Sequence, residues 1–60
     1  MQIIKNSIIS KNGYNVTLSF KNGVYSVNLF LNGTLVFNEF KECYAIAEII
    51  YLSCLEFYIN

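Results

Sequence analysis

Residues 14–31 read YNVTLSFKNGVYSVNLFL, two runs in which apolar and polar side chains alternate, joined by Asn22-Gly23. Asn-Gly between alternating runs is the strongest short-range signal for a type I′ β-hairpin, because both residues of that two-residue turn need positive φ. Such a turn also fixes the register. It predicts one apolar face, made by the pairs Phe20–Tyr25, Leu18–Val27, Val16–Leu29 and Tyr14–Leu31. The other face then carries Ser, Thr and Asn, as expected of a sheet with one buried side.

The same dipeptide recurs at Asn12-Gly13 and Asn32-Gly33, ten residues to either side. Three such turns predict an antiparallel meander of four short strands. We place these strands at about residues 2–10, 14–21, 24–31 and 34–37.

The first predicted strand is less regular than the central pair. A two-residue turn at Asn12-Gly13 predicts the pairs Ile9–Val16, Ser7–Leu18 and Lys5–Phe20. Adjacent isoleucines at residues 3–4 and 8–9 break the alternation of apolar and polar side chains. Two interpretations follow, a β-bulge or a strand that is apolar on both faces.

The fourth predicted strand also allows two interpretations. Strict pairing through a two-residue turn places Val36 on the core face, and Phe30, Leu35 and Phe37 then share the second face as a candidate subunit interface. Alternatively the turn has three residues and the strand flips, which returns Leu35 and Phe37 to the core.

Residues 39–58 contain neither Gly nor Pro and form a run longer than a typical strand. They predict a helix with Asn38 as N-cap and with Glu39 and Glu42 in its first turn, where carboxylates suit the positive end of the dipole. At 100° per residue its apolar face contains Phe40, Cys43, Tyr44, Ala47, Ile50, Tyr51, Cys54 and Tyr58. Ile49 and Leu52 fall among the charged residues, and a helix apolar nearly all round is typically buried from more than one side.

The predicted architecture is a single α+β domain spanning residues 1–60, a four-stranded antiparallel β-meander with one C-terminal α-helix packed on one face. Its predicted core consists of Val16, Leu18, Phe20, Val27, Leu29, Phe40, Ala47, Ile50 and Cys54. A chain of 60 residues buries only about 60% of its unfolded surface. Because the chain is 55% apolar and 13% charged, we expect that it associates with itself, most simply as a homodimer.

Composition argues against several classes of function. The chain has no His, Asp, Arg, Trp or Pro, and its formal net charge is zero. Nothing resembles a basic footprint for nucleic-acid phosphates. Without His a Ser–His or Cys–His pair cannot form within one chain, and the cysteines have the wrong spacing for zinc. We therefore predict no enzyme activity, no cofactor, no metal and no nucleic-acid partner.

The two cysteines, Cys43 and Cys54, would lie roughly 16 Å apart along a helix, too far for a disulfide. We predict buried free thiols on the core face, which fits a cytoplasmic location. Residues 1–10 do not resemble a signal peptide. Glu48, Ser53 and Glu56 interrupt the apolar segment 43–59, so we expect no membrane helix.

Elimination leaves a hypothesis of function: a small non-enzymatic protein-interaction module. Its candidate interface residues are Phe30, Leu35 and Phe37 on the sheet, with Ile49 and Leu52 on the helix. Very short single-domain chains that contain no catalytic chemistry are typical of phage or mobile-element products, and the richness in Asn, Ile, Lys, Tyr and Phe indicates an AT-rich coding sequence. The hypothesis therefore extends to an inhibitor that binds a host enzyme or antiviral defence protein in the host cytoplasm. Two alternatives stay open: a structural or assembly subunit of a larger oligomer, and an oligomer that sequesters a small ligand.

Overall fold

The computed structural model describes residues 2–60 and shows the predicted α+β architecture, with a four-stranded antiparallel sheet in the order β1-β2-β3-β4 and a C-terminal helix. The strands are β1 Gln2–Asn6, β2 Tyr14–Lys21, β3 Val24–Leu31 and β4 Thr34–Lys41. The helix α1 covers Tyr44–Cys54, and a π-helical turn, Leu55–Ile59, continues it. α1 crosses one face of the sheet, and the other face carries no helix.

The central hairpin has the register that its sequence predicts. β2 and β3 pair without interruption from Lys21↔Val24 at the turn to Tyr14↔Leu31 at the far end. Asn22 and Gly23 both have positive φ, 51° and 80°, the backbone that a type I′ turn requires. The hairpin formed by β3 and β4 also turns on two residues of positive φ, Asn32 and Gly33.

The first hairpin differs from the prediction. β1 ends at Asn6, and Lys5 rather than Ser7 lies opposite Leu18. Near Asn12 the N–H of Ser10 donates to the carbonyl of Tyr14 at 2.8 Å, and the N–H of Gly13 donates to the carbonyl of Ser10 at 3.0 Å. The loop between Ser10 and Tyr14 therefore has three residues, 11–13. Only Gly13 in that loop has positive φ, 86°. The longer loop accounts for one residue of the two-residue shift from Ser7 to Lys5 opposite Leu18.

A β-bulge resolves the irregular pattern in the first strand. The register shifts between Ile3 and Lys5, so Ile4 is the extra residue. Ile8 and Ile9 lie beyond β1 and are largely exposed. The structure therefore agrees with the first interpretation of this strand, a β-bulge, and not with a strand that is apolar on both faces.

A second bulge, at Val36 in β4, decides the faces of the fourth strand. The turn has two residues, since Leu31 pairs with Thr34 and Phe30 with Leu35. The register then shifts, and Leu29 lies opposite Phe37. Leu35 consequently lies on the open face beside Phe30, whereas Phe37 lies on the helix face. Each predicted alternative was wrong about one of these residues, because a bulge inverts the faces within the strand and not at the turn.

The helix begins later than predicted. Residues 38–41 extend β4 instead, and the N-cap of α1 is Cys43, not Asn38. Glu39 and Glu42 therefore lie outside the first helical turn. Asn38 donates from its amide nitrogen to Asn28 Oδ1 at 2.6 Å and to Ser26 Oγ at 3.1 Å, bonds that a cross-strand position provides and a helix cap does not.

The core lies between α1 and the central hairpin. Its buried members are Val16, Leu18, Val27, Leu29, Ala47, Tyr51 and Cys54. Three predictions about the core were wrong. Phe40 is 63% exposed, since in β4 it faces away from the helix. Cys43 is exposed and lies before the helix as its N-cap. Phe20 is only half-buried and packs against the ring of Tyr25, with ring centroids 4.7 Å apart.

We predict that Gly23→Val lowers the free energy of unfolding by more than about 1–2 kcal/mol, the cost of a left-handed conformation for an L-residue. Nothing lies within 4 Å of a Cβ built at Gly23, so the cost comes from the backbone at φ +80° and not from a clash. Urea denaturation followed by circular dichroism measures it. Lys21→Val places the same side chain two residues earlier, at the end of β2 and at ordinary φ, and we expect its effect to stay within about 0.5 kcal/mol.

The bulge makes a second prediction. Deletion of Val36 removes the extra residue while Phe37 stays opposite Leu29, so we expect a folded protein whose unfolding free energy changes by less than about 1 kcal/mol. Deletion of Asn38 is the matched control, because it moves the following residues to the wrong faces. Thermal unfolding compares the two variants. Equal destabilisation by both deletions would contradict the assignment of Val36.

Candidate protein-interaction surface

α1 is apolar on two sides, and only one of them is covered. Its buried side contacts the sheet through Ala47, Tyr51 and Cys54. The opposite side exposes Ile46, Ile49 and Leu52, which are 48–63% accessible. A helix that is apolar all round is stable only if a second surface covers it. The isolated chain leaves this second side uncovered.

A groove runs along the side of α1 that faces β4. It has a volume of about 250 Å³ and lies between Phe37 of β4 and the last two turns of the helix. We call it the helix–β4 groove, and its lining residues are Phe37, Ile49, Ile50, Ser53, Cys54, Phe57 and Tyr58. Its floor is formed by the half-buried Ile50 and the buried Cys54, and Phe57 projects at its end with 81% of its surface exposed.

Charged side chains lie outside this groove. Lys5 Nζ lies 3.8 Å from Glu48 Oε2, on the side of α1 that faces β1. Lys41 Nζ lies 3.3 Å from Glu39 Oε1 at the end of β4. Neither Lys nor Glu is among the residues that line the groove, so an apolar segment could enter it without desolvating a charge.

The structure separates the five predicted interface residues into two groups. Phe37 and Ile49 line the helix–β4 groove, and Leu52 lies exposed on the adjoining side of α1. Phe30 and Leu35 pair with each other across β3 and β4 on the open sheet face. A single contiguous surface therefore contains Phe37, Ile49 and Leu52 but not Phe30 and Leu35.

Sequence reasoning missed the most exposed member of the groove, Phe57. Helical spacing carries a signal for it, because Ile46, Ile50, Ser53 and Phe57 recur at intervals of four, three and four residues. A second strongly exposed aromatic residue, Phe40, was assigned to the core because the helix was predicted to start too early.

The open face of the sheet is mainly polar at its centre. A cross-strand row of Asn6, Thr17, Asn28 and Asn38 spans all four strands. Three of these side chains bond one another: Asn28 donates to Thr17 Oγ1 at 3.4 Å, and Asn38 donates to Asn28 Oδ1. Asn6 Oδ1 instead accepts from the amide of Asn15 at 3.0 Å. No buried side-chain nitrogen or oxygen in residues 2–60 lacks a partner. The row therefore offers no buried unpaired group to a ligand.

The titratable groups with shifted pKa values belong to the helix and its packing. A hydrogen bond from the Tyr44 hydroxyl to Glu48 Oε2, 2.9 Å long, is the main cause that raises the pKa of Tyr44. Burial raises the pKa of Tyr51 and the pKa of the Cys54 thiol. A raised thiol pKa disfavours the thiolate, so Cys54 is a poor nucleophile.

Within residues 2–60 the structure brings no three Cys or Glu side chains together in a way that could hold a metal ion. In the same part of the chain no helix has the length and hydropathy needed to cross a membrane. Comparisons with protein-family models, curated proteins and solved structures found no match for this chain. We therefore infer its function from the geometry of its surfaces.

We predict that the protein loses stability as the pH rises above about 8.5 and loses more above about 10. Cys54, Tyr51 and Tyr44 have pKa values that folding raises, so the folded state holds these protons more tightly than the unfolded state. The contribution of these protonated groups to the free energy of unfolding is fully present below their pKa values in the unfolded state. It is lost as the pH rises through their pKa values in the folded state. Urea denaturation from pH 7 to pH 11 measures this slope. Tyr51→Phe removes one titrating group and should flatten the slope above pH 10.

Proposed function

We propose that this chain is a small protein-interaction module without catalytic activity, and that it binds another protein through the helix–β4 groove and the exposed side of α1. The observation that carries the proposal is the contiguous apolar surface made by Phe37, Ile49, Leu52 and Phe57, with no Lys or Glu among the groove residues. The largest apolar patch on a typical monomer covers about 300–600 Å² and is often its functional surface.

The size of the surface supports a protein partner. The chain exposes 4098 Å², and a standard protein interface covers about 800 Å² of each partner, roughly a fifth of that surface. Aromatic side chains carry about 150–250 Å² each. Exposure of Phe37, Ile49, Leu52, Phe57 and Tyr58 by 41–81% thus leaves on the order of 500 Å² of apolar surface for a partner to cover.

The shape of the surface supports binding of an apolar segment. The groove offers a recess between two rigid elements, and Phe57 beside it offers a projecting aromatic anchor. Interfaces obtain most of their affinity from a few such anchors and pockets. An amphipathic helix or an extended apolar segment of the partner has the dimensions to lie between β4 and α1.

The absence of catalytic activity is part of the proposal and is supported by the chemistry of the side chains. Nucleophilic catalysis needs a base beside the nucleophile, and the sequence contains no His. The Lys5–Glu48 and Lys41–Glu39 pairs lie on the surface, away from the groove. We further propose that the chain acts as a homodimer in the cytoplasm of a host cell, where it inhibits a host enzyme or an antiviral defence protein.

The test is affinity capture with matched variants. We predict that the tagged protein retains one host protein from bacterial lysate, prepared with and without phage infection, and that Ile49→Glu releases it. The charge placed beside the groove would have to be desolvated on binding, which costs several kcal/mol for an unpaired ion. Quantitative mass spectrometry of the captured protein gives the ratio between variants.

Leu35→Glu is the control for this experiment. Leu35 is 50% exposed and apolar like Ile49, but it lies on the open face, so it should leave capture unchanged. Circular dichroism verifies that both variants fold. Loss of capture with Leu35→Glu and retention with Ile49→Glu would move the site to the open face. Capture of no protein by the folded wild-type chain would overturn the proposal.

A further inference from the structure

We propose that two copies of this chain associate through the outer edge of β4, in an antiparallel register centred on Phe40 that places Glu39 of each copy opposite Lys41 of the other. The two four-stranded sheets then form one continuous sheet of eight strands. This inference deepens the self-association in the proposed function and rests on that part of it alone. It uses the backbone of the strand edge, not the helix–β4 groove.

The edge of β4 carries unpaired backbone groups. The type I′ turn closes with a hydrogen bond between Lys21 and Val24, and antiparallel pairs alternate between bonded and non-bonded, so Ser19 and Ser26 form a bonded pair. The backbone of Ser26 therefore points to β2. Phe40 lies opposite Ser26 on β4, and its N–H and C=O consequently point away from the sheet. The same holds for Asn38, two residues earlier.

Natural proteins protect such edges with proline, a short strand, a bulge, inward-pointing charges or a covering element. β4 is the edge strand of the sheet and has eight residues without Pro. Its bulge at Val36 disturbs only the first half of the strand. Its charges, Glu39 and Lys41, lie on the helix face and have opposite signs, so they oppose a further strand only where it brings like charges together. The segment from Asn38 to Lys41 is therefore regular and extended, and a strand with complementary charges can pair with it.

The charges of β4 are self-complementary in one register. Glu39 and Lys41 are its charged residues, and they lie on the helix face two positions apart. An antiparallel copy centred on Phe40 brings each Glu39 opposite Lys41 of the other copy. A shift of the centre to Glu39 would place the two Glu39 carboxylates opposite each other. Opposite charges stabilise cross-strand pairs and like charges destabilise them, so the charges select the first register.

Phe40 fits the same arrangement. It is 63% exposed on the open face, at the end of a cross-strand row that begins with Ile3 and continues through Ser19 and Ser26. In the proposed register Phe40 lies beside Phe40 of the second copy. Aromatic cross-strand pairs are among the stabilising ones. The dimer thus covers a large aromatic side chain that the isolated chain leaves in water.

The test uses two charge reversals in a mixing experiment. Glu39→Lys gives a strand with two positive charges, and Lys41→Glu gives one with two negative charges. Each variant alone would place like charges opposite each other twice, and we expect its dimer dissociation constant to rise by roughly 10- to 100-fold. An equimolar mixture places opposite charges in both pairs and should restore dimers, all of them mixed. Sedimentation velocity, with native mass spectrometry of one ¹⁵N-labelled variant, measures both.

Lys21→Glu controls for net charge. It changes the formal charge by the same amount as Lys41→Glu but lies at the central turn, two strands from the edge of β4. We expect Lys21→Glu to form dimers as the wild type does. Its mixed dimer with Glu39→Lys keeps one of the two like-charge pairs, so mixing should restore dimers far less than mixing with Lys41→Glu does. Equal rescue by Lys21→Glu and Lys41→Glu would show attraction between net charges alone and would overturn the register.

The wild-type chain supplies a readout that needs no variant. Hydrogen exchange of the Phe40 and Asn38 amides should slow as protein concentration rises, because these N–H groups are bonded only in the dimer. A wild-type chain that stays monomeric, or dimers that persist unchanged in both single variants, would overturn the inference. Dimers lost with Ile49→Glu but not with Glu39→Lys would place the second copy on the helix. Groove-dependent capture of a host protein would survive any of these failures.

Discussion

The register of the central hairpin is the constraint on which the rest of the structure depends. Asn22-Gly23 adopts positive φ at both positions, and the pairing Lys21↔Val24 then places every side chain of β2 and β3 on a defined face. A slip by one residue would move the whole apolar set to the opposite face. The buried residues Val16, Leu18, Val27 and Leu29 all come from this hairpin, and α1 covers them.

A single 11-residue helix cannot cover everything that a 60-residue apolar chain presents. α1 contacts the two central strands and part of β4, so its own second side, the groove beside Phe37 and the outer edge of β4 all remain accessible. Small domains bury a smaller fraction of their surface than large ones. The uncovered apolar surface is thus a consequence of size and composition, and it is also what the proposed interactions would use.

Much of the fold follows from local patterns, and the errors have local causes. The spacing of the Asn-Gly dipeptides predicted four strands and the register of β2 and β3, because two-residue turns tie geometry directly to sequence. The prediction failed at residues 38–43, where Asn38 resembled an N-cap. There the cross-strand partners Ser26 and Asn28 hold Asn38 in β4. From its neighbours in sequence alone, Asn38 is compatible both with a helix N-cap and with a position in a strand.

The candidate site was predictable only in part. Excess apolar residues in the last strand and the helix indicated an uncovered surface, and Phe37, Ile49 and Leu52 do lie around α1. The bulge at Val36 could not be foreseen, because it depends on how β4 fits β3 beneath the helix. That bulge alone assigns Leu35 and Phe37 to opposite faces. Phe57 lies in the π-helical turn after α1, and the position of this turn places it at the end of the groove.

The sequence by itself determined the meander, the central register and the helix, because turn chemistry and the two periodicities of apolar residues act over short distances along the chain. Tertiary structure decided where β4 ends, which face each of its residues occupies, and which apolar side chains stay exposed. These outcomes depend on contacts between residues far apart in sequence. The cross-strand bonds of Asn38 and the pairing of Leu29 with Phe37 exist only once the strands and the helix have packed together.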